Sequence, residues 1–407
     1  MDFTLNERDR RYRAVRENIK KQGVDALVVF GNTSVGGQWN GNFTYLSDYC
    51  LIFATAVIFF PLEGEPVMFV PGENQLLDAR HAGWIEDMRL TGTPVPELCG
   101  YLRSHDVSRG KIGVSSLTAM PSGAMEHLRS ELPNAAFIEA SSAVFDARER
   151  KSGEELEAAR RGGRVADLGW KRSLEILRPG MSELEWRAEI ERVMTAEGAD
   201  GYFNMLGAGR PAGEEDLFRG FVVSPTARTF QKGDLALLEI TPRVEGYWNQ
   251  VVRLVSLGEP PEDIQKAHDA CLAAKRSALE RLKPGETFTA MAEAIGGTLE
   301  KHGYSMKGVG SVHTTGLDLS ESTMNLDNER KIEPGLLVTV HPMMATGDWR
   351  QLFVGESYFL HEDRLERLNH CDEEIAVLGG EPPAPLGGEA NLSAHRKTCT
   401  PDRRSEW

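Results

Sequence analysis

Apolar and charged residues alternate along the chain in a way that predicts a long series of helices and strands. Residues 7–22 place apolar side chains at helical spacing and stop before a glycine, which predicts a first helix. Asp25 to Phe30 is typical of a buried strand, and two further strands are expected at Leu51–Phe60 and Glu65–Val70. Because helices and strands continue to alternate to about residue 139, the pattern predicts a small α/β domain at the N-terminus.

A second domain is predicted to begin with two capped helices. Ser152 has the features of an N-cap for a helix that runs to about Leu177, with two glutamates in its first turn. Ser182 is expected to cap another helix through Met194. The chain therefore divides into an N-terminal domain at 1–146, a catalytic domain at 147–378 and a tail at 379–407, where Pro, Gly and polar residues predict a flexible segment.

A repeated motif within the second domain indicates an internal duplication. Leu177-Arg-Pro-Gly and Leu282-Lys-Pro-Gly each precede a predicted helix, and their prolines lie 105 positions apart. Each half goes on to supply strands. This spacing is too long for a solenoid repeat and favours two similar αβ halves that enclose a central site.

Composition narrows the classes of partner and compartment. The 407 residues carry 46 Lys and Arg against 61 Asp and Glu, a net charge of −15, which argues against nucleic acid or an anionic membrane as partner. The five cysteines are scattered without a CxxC pair, so neither a disulfide framework nor a thiolate zinc site is indicated. With no apolar leader and no apolar run long enough to span a bilayer, the chain is expected to be cytoplasmic.

The stretch from Gly233 to Arg253 is predicted to form a β-hairpin that carries candidate chemistry. Apolar residues run up to Glu239, and a break containing Pro and Gly separates them from a second strand that leads to Gln250. A carboxylate at the end of a buried strand is costly unless a partner or a task retains it. Glu239 is therefore the first candidate for catalysis, whereas Arg253 is expected to be a structural ion-pair partner.

This hairpin resembles the first half of the metal site in the pita-bread family, which includes methionine aminopeptidase, prolidase, aminopeptidase P and creatinase. In metal-dependent members an Asp ends the first strand and a second Asp follows eleven positions on, where this sequence has Glu239 and Gln250. The family's three remaining ligand positions are filled here by His313, His341 and Glu356. The resemblance implies a creatinase-like N-terminal α/β domain followed by a pita-bread domain with pseudo-two-fold αβ halves.

The resemblance also implies partners. In relatives the N-terminal domain reaches the active site of a second subunit, so a homodimer with a small-molecule substrate is expected. Trp39 and Tyr45, which lie in and just after a Gly- and Asn-rich loop, become substrate-binding candidates on this basis.

The departures from the family pattern change the expected chemistry. Paired divalent ions need bridging carboxylates, yet Gln250 is neutral and His341 replaces an anionic ligand. A site without metal is therefore expected. The alternative is a single Zn or Fe ion held by Glu239, His313, His341 and Glu356, which are suitable ligand types.

These residues predict a hydrolase that cleaves a C–N bond in an amidine, guanidine or cyclic amide, as the resemblance to creatinase and ectoine hydrolase implies. Glu239 would act as nucleophile or base, and His313 or His341 would donate a proton to the leaving nitrogen. Glu356 would pair with N–H groups of the substrate, and the Gln250 amide would orient it. Alternatives are a metal-dependent Xaa-Pro dipeptidase or aminopeptidase, a lyase or cyclase, and a non-catalytic binding protein on the same scaffold.

Overall fold

The chain folds around two large β-sheets, one in each half of the sequence. The computed structural model describes residues 3–35, 40–105, 107–210, 224–306, 311–323, 329–345 and 351–379. Two of the sequence predictions, the role of Trp39 and the flexible tail at 380–407, fall outside these ranges. Within the described ranges, no helix is both long and apolar enough to cross a membrane.

The N-terminal half is a mixed sheet covered by helices, as the alternating pattern predicted. Its helices are α1 (Leu5–Gln22), α2 (Gly41–Ser47), α3 (Glu73–Ala82), α4 (Pro94–Ser104), α5 (Ala124–Glu131) and α6 (Ser141–Glu149). Its strands are β1 (Ala26–Asn32), β2 (Thr55–Pro61), β3 (Val67–Val70), β4 (Asp87–Leu90), β5 (Lys111–Ser115) and β6 (Ala136–Glu139). They pair in the order β4-β3-β2-β1-β5-β6, and the central β1 is buried along almost its whole length.

The second half repeats a unit of two helices followed by strands. Its helices are α7 (Gly153–Ile176), α8 (Glu183–Ala196), α9 (Glu262–Leu279) and α10 (Phe288–Lys301). The strands of the first unit are β7 (Ala199–Tyr202), β8 (Met205–Gly209), β9 (Leu235–Ile240), β10 (Pro242–Val244), β11 (Tyr247–Trp248) and β12 (Val251–Ser256). Those that follow are β13 (Ser305–Met306), β14 (Val312–Thr314), β15 (Ser322–Thr323), β16 (Leu337–Val340), β17 (Met343–Ala345), β18 (Gln351–Phe353), β19 (Gly355–Leu360), β20 (Leu365–Arg367) and β21 (Ala376–Val377).

The predicted caps explain where α7 and α8 begin. The Ser152 side chain accepts from the N–H of Glu155, and the Glu155 carboxylate accepts from the N–H of Ser152, which closes a capping box. Ser182 and Glu185 form the same box at the start of α8. Each box satisfies N–H groups that the helix itself cannot satisfy, so the sequence sets both helix starts locally.

The strands of the two units join in one sheet, which carries the site. Seven strands follow the order β15-β14-β16-β19-β12-β9-β8, with β20 beside β19 and β21 beside β12. Helices cover one face: the Gly169 Cα of α7 lies so close to Ile240 that an added Cβ would be 3.3 Å from its Cγ2. Lys275 of α9 reaches the same face at Glu356. We call this the helix face and the opposite one the site face.

Candidate active site

The hairpin between β9 and β12 brings Glu239 and Gln250 together, as the sequence predicted. The strands pair antiparallel with Val252 opposite Glu239 and Val251 opposite Ile240. Because side chains alternate between faces, Gln250 and Val252 share the site face with Glu239. The Gln250 amide Nε2 donates a short hydrogen bond to Glu239 Oε1.

His313 and His341 reach the same face from the other half of the sheet. His313 pairs with Thr339 across β14 and β16, and His341 follows the last residue of β16. The two Nε2 atoms are 3.2 Å apart, and His313 Nε2 is 3.1 Å from Gln250 Oε1. Glu239, Gln250, His313 and His341 thus form one hydrogen-bonded chain, called here the site chain.

Burial sets the charges of the site chain. Glu239 is 3% exposed, and loss of hydration raises its pKa to about 7, with the Gln250 hydrogen bond opposing the shift. Burial lowers the pKa of His313 to about 4, and burial together with the nearby His313 lowers that of His341 to about 3. Both imidazoles are therefore neutral near pH 7.

The hydrogen bonds couple the proton on Glu239 to the tautomer of His313. When Glu239 is ionised, Gln250 donates to it, and the Gln250 carbonyl accepts from an Nε2–H of His313. If Glu239 were protonated and the Gln250 amide reversed, the Glu239 O–H would donate a hydrogen bond to the Gln250 carbonyl oxygen, and the Gln250 N–H would donate to a bare His313 Nε2. The Nδ1–H of His313 then donates to the Thr314 carbonyl, 3.2 Å away. The protonation of Glu239, the orientation of the Gln250 amide and the tautomer of His313 are therefore linked.

His341 ends the site chain with an unused nitrogen. Its Nδ1 is buried and has no hydrogen-bond partner among the described residues. The Phe353 ring packs against the imidazole with a centroid separation of 5.7 Å. A buried nitrogen of this kind is costly unless a ligand or water meets it, so a ligand or water is expected at His341 Nδ1.

Glu356 does not join the site chain, which corrects the expectation that it contacts substrate. Val251 lies opposite both Ile240 and Glu356, so Glu356 points to the helix face. There its carboxylate pairs with Arg253 and Lys275, each at 2.8 Å, and with Arg367 at 3.2 Å. These cations lower the pKa of Glu356 to about 2. Arg253 is the structural partner that the sequence predicted.

Gly355, the residue before Glu356, is the one that lies on the site face of β19. It lies opposite Val252, in the same row as Glu239. A Cβ added there would overlap the Val340 carbonyl oxygen and lie 2.5 Å from the His341 Cα. No side chain fits at this position. The site therefore has backbone, not a fifth side chain, where the sequence analysis expected Glu356.

Tyr45 is also corrected, because it belongs to the core of the N-terminal half. Its side chain is fully buried, and its hydroxyl donates to the Ala147 carbonyl at 2.9 Å. The Arg11 guanidinium lies 4.6 Å from its ring centroid. No part of the Tyr45 side chain is exposed to contact a substrate.

Ser357 is a site-face residue that sequence reasoning missed. Its hydroxyl accepts from the Gln250 N–H at 3.1 Å and lies 3.1 Å from the Thr339 hydroxyl. These contacts hold Gln250 against the sheet. The signal that could have revealed Ser357 is strand alternation, since Gly355 and Ser357 share a face while Glu356 points away.

The donors on the site face do not fit a pair of divalent ions. Of the charged ligand types, the site chain offers one carboxylate, and Gln250 stands between it and the two imidazoles. Within the described ranges, no group of three or more His, Cys, Asp or Glu is arranged to hold a metal ion. Two adjacent divalent ions need several anionic oxygens to offset their charge.

Fold and site together define a hydrolase built on a pita-bread scaffold. The family model for metallopeptidase family M24 matches residues 157–365, and that for the creatinase/prolidase N-terminal domain matches residues 11–150. The chain belongs to the M24 metallopeptidase family. Membership makes it a hydrolase of carbon–nitrogen bonds, as the sequence predicted.

Individual relatives agree with this assignment. An ectoine hydrolase from Halomonas elongata is 27% identical over 414 residues, covering 93% of this chain and 98% of the relative. A Xaa-Pro dipeptidase from Lactobacillus helveticus is 22% identical and covers 62% of this chain and 69% of the relative. The X-Pro aminopeptidase structure from Thermotoga maritima superposes with a TM-score of 0.78 at 20% identity, covering 90% of this chain and 99% of its own. The predicted fold is thereby confirmed.

Proposed function

We propose that this protein hydrolyses a C–N bond of a small amidine, guanidine or cyclic amide without a metal ion. The observation that carries the proposal is the site chain, in which one buried carboxylate connects through an amide to two neutral imidazoles. The resemblance to the pita-bread family implies that these four residues occupy positions at which metal-dependent relatives have their ligands. The similarity to an ectoine hydrolase over nearly its whole length supports a cyclic amidine such as ectoine as the first substrate to test.

A cationic substrate would replace the positive charge that metal ions supply in relatives. Glu239 is half protonated near pH 7 because burial raises its pKa. An amidinium or guanidinium group beside it favours the ionised form, since an opposite charge lowers a carboxyl pKa. Binding of the substrate cation thus converts Glu239 from a mixture of states into a carboxylate.

The ionised carboxylate then has two chemical courses. As a nucleophile, a Glu239 oxygen bonds to the amidine carbon, one C–N bond breaks, and water hydrolyses the resulting anhydride-like intermediate. As a base, Glu239 takes a proton from water, and the hydroxide attacks the same carbon. In both courses the leaving nitrogen must gain a proton.

The histidine pair is suited to supply that proton. With Glu239 ionised, His313 carries its hydrogen on Nε2, 3.2 Å from His341 Nε2. Because both imidazoles are neutral, each can release a proton only as it gains another, so the pair would relay to the leaving nitrogen a proton that comes from water or from the protonated substrate, with His341 Nδ1 as the point of exchange. The Gln250 amide donates to the Glu239 carboxylate and would orient the substrate group that Glu239 attacks.

The test is turnover by a Glu239→Gln variant, with Glu245→Gln as matched control. Glu245 lies on the same hairpin but pairs with Arg161 instead of joining the site chain. Glu239→Gln should lower kcat by at least about 10³-fold on ectoine, or on whichever amidine or guanidine the wild type turns over, and Glu245→Gln should not. Intact-mass analysis of quenched wild type separates the two courses, since only a nucleophilic Glu239 gains substrate mass. Undiminished turnover by Glu239→Gln would remove it from the mechanism.

A single metal ion is the second candidate, and one distance favours it. Two nitrogens bound to one tetrahedral Zn ion at about 2.0–2.1 Å lie roughly 3.3 Å apart, close to the 3.2 Å between His313 and His341 Nε2. A metal-dependent Xaa-Pro peptidase would then be the function, with His313 and His341 as the ligands that the structure brings within reach of one ion. Calorimetric titration of Zn²⁺ into the purified wild type and into a His341→Gln variant tests this directly, because only the wild type should bind the ion.

The expected homodimer and cytoplasmic location remain predictions. Sedimentation of the full chain at micromolar concentration tests the first, since a single species at twice the 45.0 kDa chain mass is expected. A species at the mass of one chain would contradict it.

A further inference from the structure

The loop between β14 and β15 carries two buried carboxylates that no part of the proposed reaction uses. Asp318 is 8% exposed as a residue, and the Glu321 side chain is 1% exposed. Carboxylates at such depth are costly unless they are paired. Their partners should therefore show what this loop is built to contact.

Both partners come from the junction between the two halves of the chain. Arg148, at the end of α6, forms a short ion pair with Asp318 and a 2.6 Å hydrogen bond with Glu321. Lys151, just before α7, pairs with the other Glu321 oxygen at 2.6 Å. Two cations and two carboxylates balance in charge. We call these four residues the clamp.

The clamp also forms hydrogen bonds with the N-terminal domain. The N–H of Gly41, at the start of α2, donates to Asp318 Oδ1 at 2.7 Å. Arg148 Nε donates to the Asn42 side-chain oxygen at 2.8 Å, and Asn42 in turn donates to Ser115 of β5. A forked guanidinium is required here, because Arg148 meets three separate acceptors that a lysine could not reach together.

Two glycines lie so close to the clamp side chains that neither position has room for a Cβ atom. A Cβ on Gly41 would overlap the Arg148 guanidinium and lie 2.7 Å from Asp318 Oδ2. A Cβ on Gly316 would lie 2.5 Å from Glu321 Oε1 and 2.9 Å from Lys151 Nζ. The loop and α2 therefore hold a fixed separation, and a shift of one moves the other.

The same loop sets the position of His313. His313 and Thr314 pair with Thr323 and Ser322 across the β14–β15 hairpin, so the strand that holds His313 is continuous with the clamped loop. The Gly316 carbonyl accepts from the Trp248 N–H at 2.9 Å, which ties this loop to the hairpin that carries Gln250. A displacement of about 1 Å here would break the 3.1 Å contact between His313 and Gln250, and errors of that size can cost about 10² in rate.

We propose that Arg148 is a positioning residue, which docks the N-terminal domain on the β14–β15 hairpin and thereby sets His313 in line with Gln250 and His341. The effect on turnover rests on the proposed function, whereas the effect on His313 itself does not. The N-terminal domain thus contributes to the site of its own chain through a buried contact.

The test measures the reactivity of His313 as well as turnover. Diethyl pyrocarbonate acylates neutral imidazoles, and peptide mass spectrometry gives the rate at each histidine of the full chain. In the wild type, His313 and His341 are each 5% exposed and should react slowly. Arg148→Lys should raise the His313 rate about tenfold and lower kcat on the cyclic amidine about 10–100-fold, with KM within about twofold.

Asn42→Ala sharpens the test because Asn42 lies in the N-terminal domain, and its hydrogen bonds among the described residues go to Arg148, Ser115 and Ser141 and not to the His313 hairpin. It keeps all four clamp charges and should raise the His313 rate in the same direction, by about two- to threefold. If Arg148→Lys does not fold, Asn42→Ala decides alone. Matched controls are Arg228→Lys, which breaks a two-pronged pair with Asp234, and Asn18→Ala, which removes a bond to Ala143.

Each outcome separates this inference from the proposed function. Faster His313 modification in the clamp variants, but not in the controls, supports positioning even if no amidine is turned over. An unchanged His313 rate in a folded Asn42→Ala, together with an unchanged rate in any folded Arg148→Lys, overturns it. So does an equal rise in the control variants.

Discussion

Glu239 and Glu356 lie on adjacent rows of one sheet, point to opposite faces, and should respond in opposite ways to the same substitution. Burial raises the Glu239 pKa from 4.5 to about 7 without a cation to offset it. Burial alone would raise the pKa of Glu356, but the neighbouring cations have the larger effect and lower it to about 2. The perturbation is therefore Glu→Gln at each position, which removes the charge and retains the shape.

The magnitudes follow from the pKa shifts. The native state holds the Glu239 proton more tightly than the unfolded chain does, so stability falls as pH rises from about 4.5 to 7. A rise of the Glu239 pKa from 4.5 to about 7 corresponds to about 3 kcal/mol of stability, which is fully lost above pH 7. Glu239→Gln should recover that amount at pH 8 and under about 0.5 kcal/mol at pH 4.5, because an amide can still accept the bond from Gln250.

Glu356 has the reverse sign. Its lowered pKa contributes about 3 kcal/mol of stability at pH 8, a contribution lost only as pH falls from about 4.5 towards 2. Glu356→Gln also leaves Arg253 and Lys275 buried without their anion, which is strongly destabilising. This variant should lose stability at both pH values.

The assay is scanning calorimetry of both variants and wild type at pH 4.5 and 8, at one scan rate. For a domain of this size each kcal/mol moves Tm by about 2–4 °C, so Glu239→Gln should melt about 6–12 °C higher at pH 8 and nearly unchanged at pH 4.5. Glu356→Gln should melt lower by a similar amount. A Glu239→Gln variant that is destabilised at pH 8, or shifted equally at both pH values, would show that burial does not disfavour the ionised form of Glu239.

Three further outcomes are expected. For any amidine that is turned over, kcat/KM should rise with pH through about 7 as free Glu239 ionises; a flat profile from pH 5 to 9 would exclude it as base or nucleophile. Gln250→Glu places a second carboxylate beside Glu239 and should increase Zn²⁺ retained per chain after dialysis, measured by elemental analysis, whereas unchanged retention would contradict the charge argument. Gly355→Ala should lower Tm by several degrees, because its Cβ would overlap the Val340 carbonyl; an unchanged Tm would show that the strands can separate there.

Local sequence signals predicted much of the fold. Capping serines at 152 and 182 act within one helical turn, and apolar runs of the right length form the central strands. The repeated Pro-Gly motif correctly indicated two αβ units. These features depend on neighbours in sequence, so a single chain reveals them.

The site was predictable in position but not in environment. Sequence reasoning proposed Glu239, Gln250, His313 and His341, and the structure brings these four into contact. It also proposed Glu356, which one step of strand register turns to the other face.

Environment depends on residues far apart in sequence. The lowered histidine pKa values come from burial by many strands, and the clamp joins Arg148 to Glu321 across 173 positions. Neither periodicity nor spacing contains such information. For the same reason the aromatic Tyr45 could not be placed in the core by sequence alone.

Activity after removal of metal is the most direct test of hydrolysis by the site chain. Protein purified without chelator would be analysed for metal per chain, then assayed on ectoine and related amidines before and after chelation and dialysis. Full turnover at less than about 0.1 metal ion per chain, abolished by Glu239→Gln, is expected if Glu239 and the histidine pair perform the reaction. Stoichiometric metal whose removal abolishes turnover, and whose return restores it, would contradict the proposal and point to the peptidase chemistry of metal-dependent relatives.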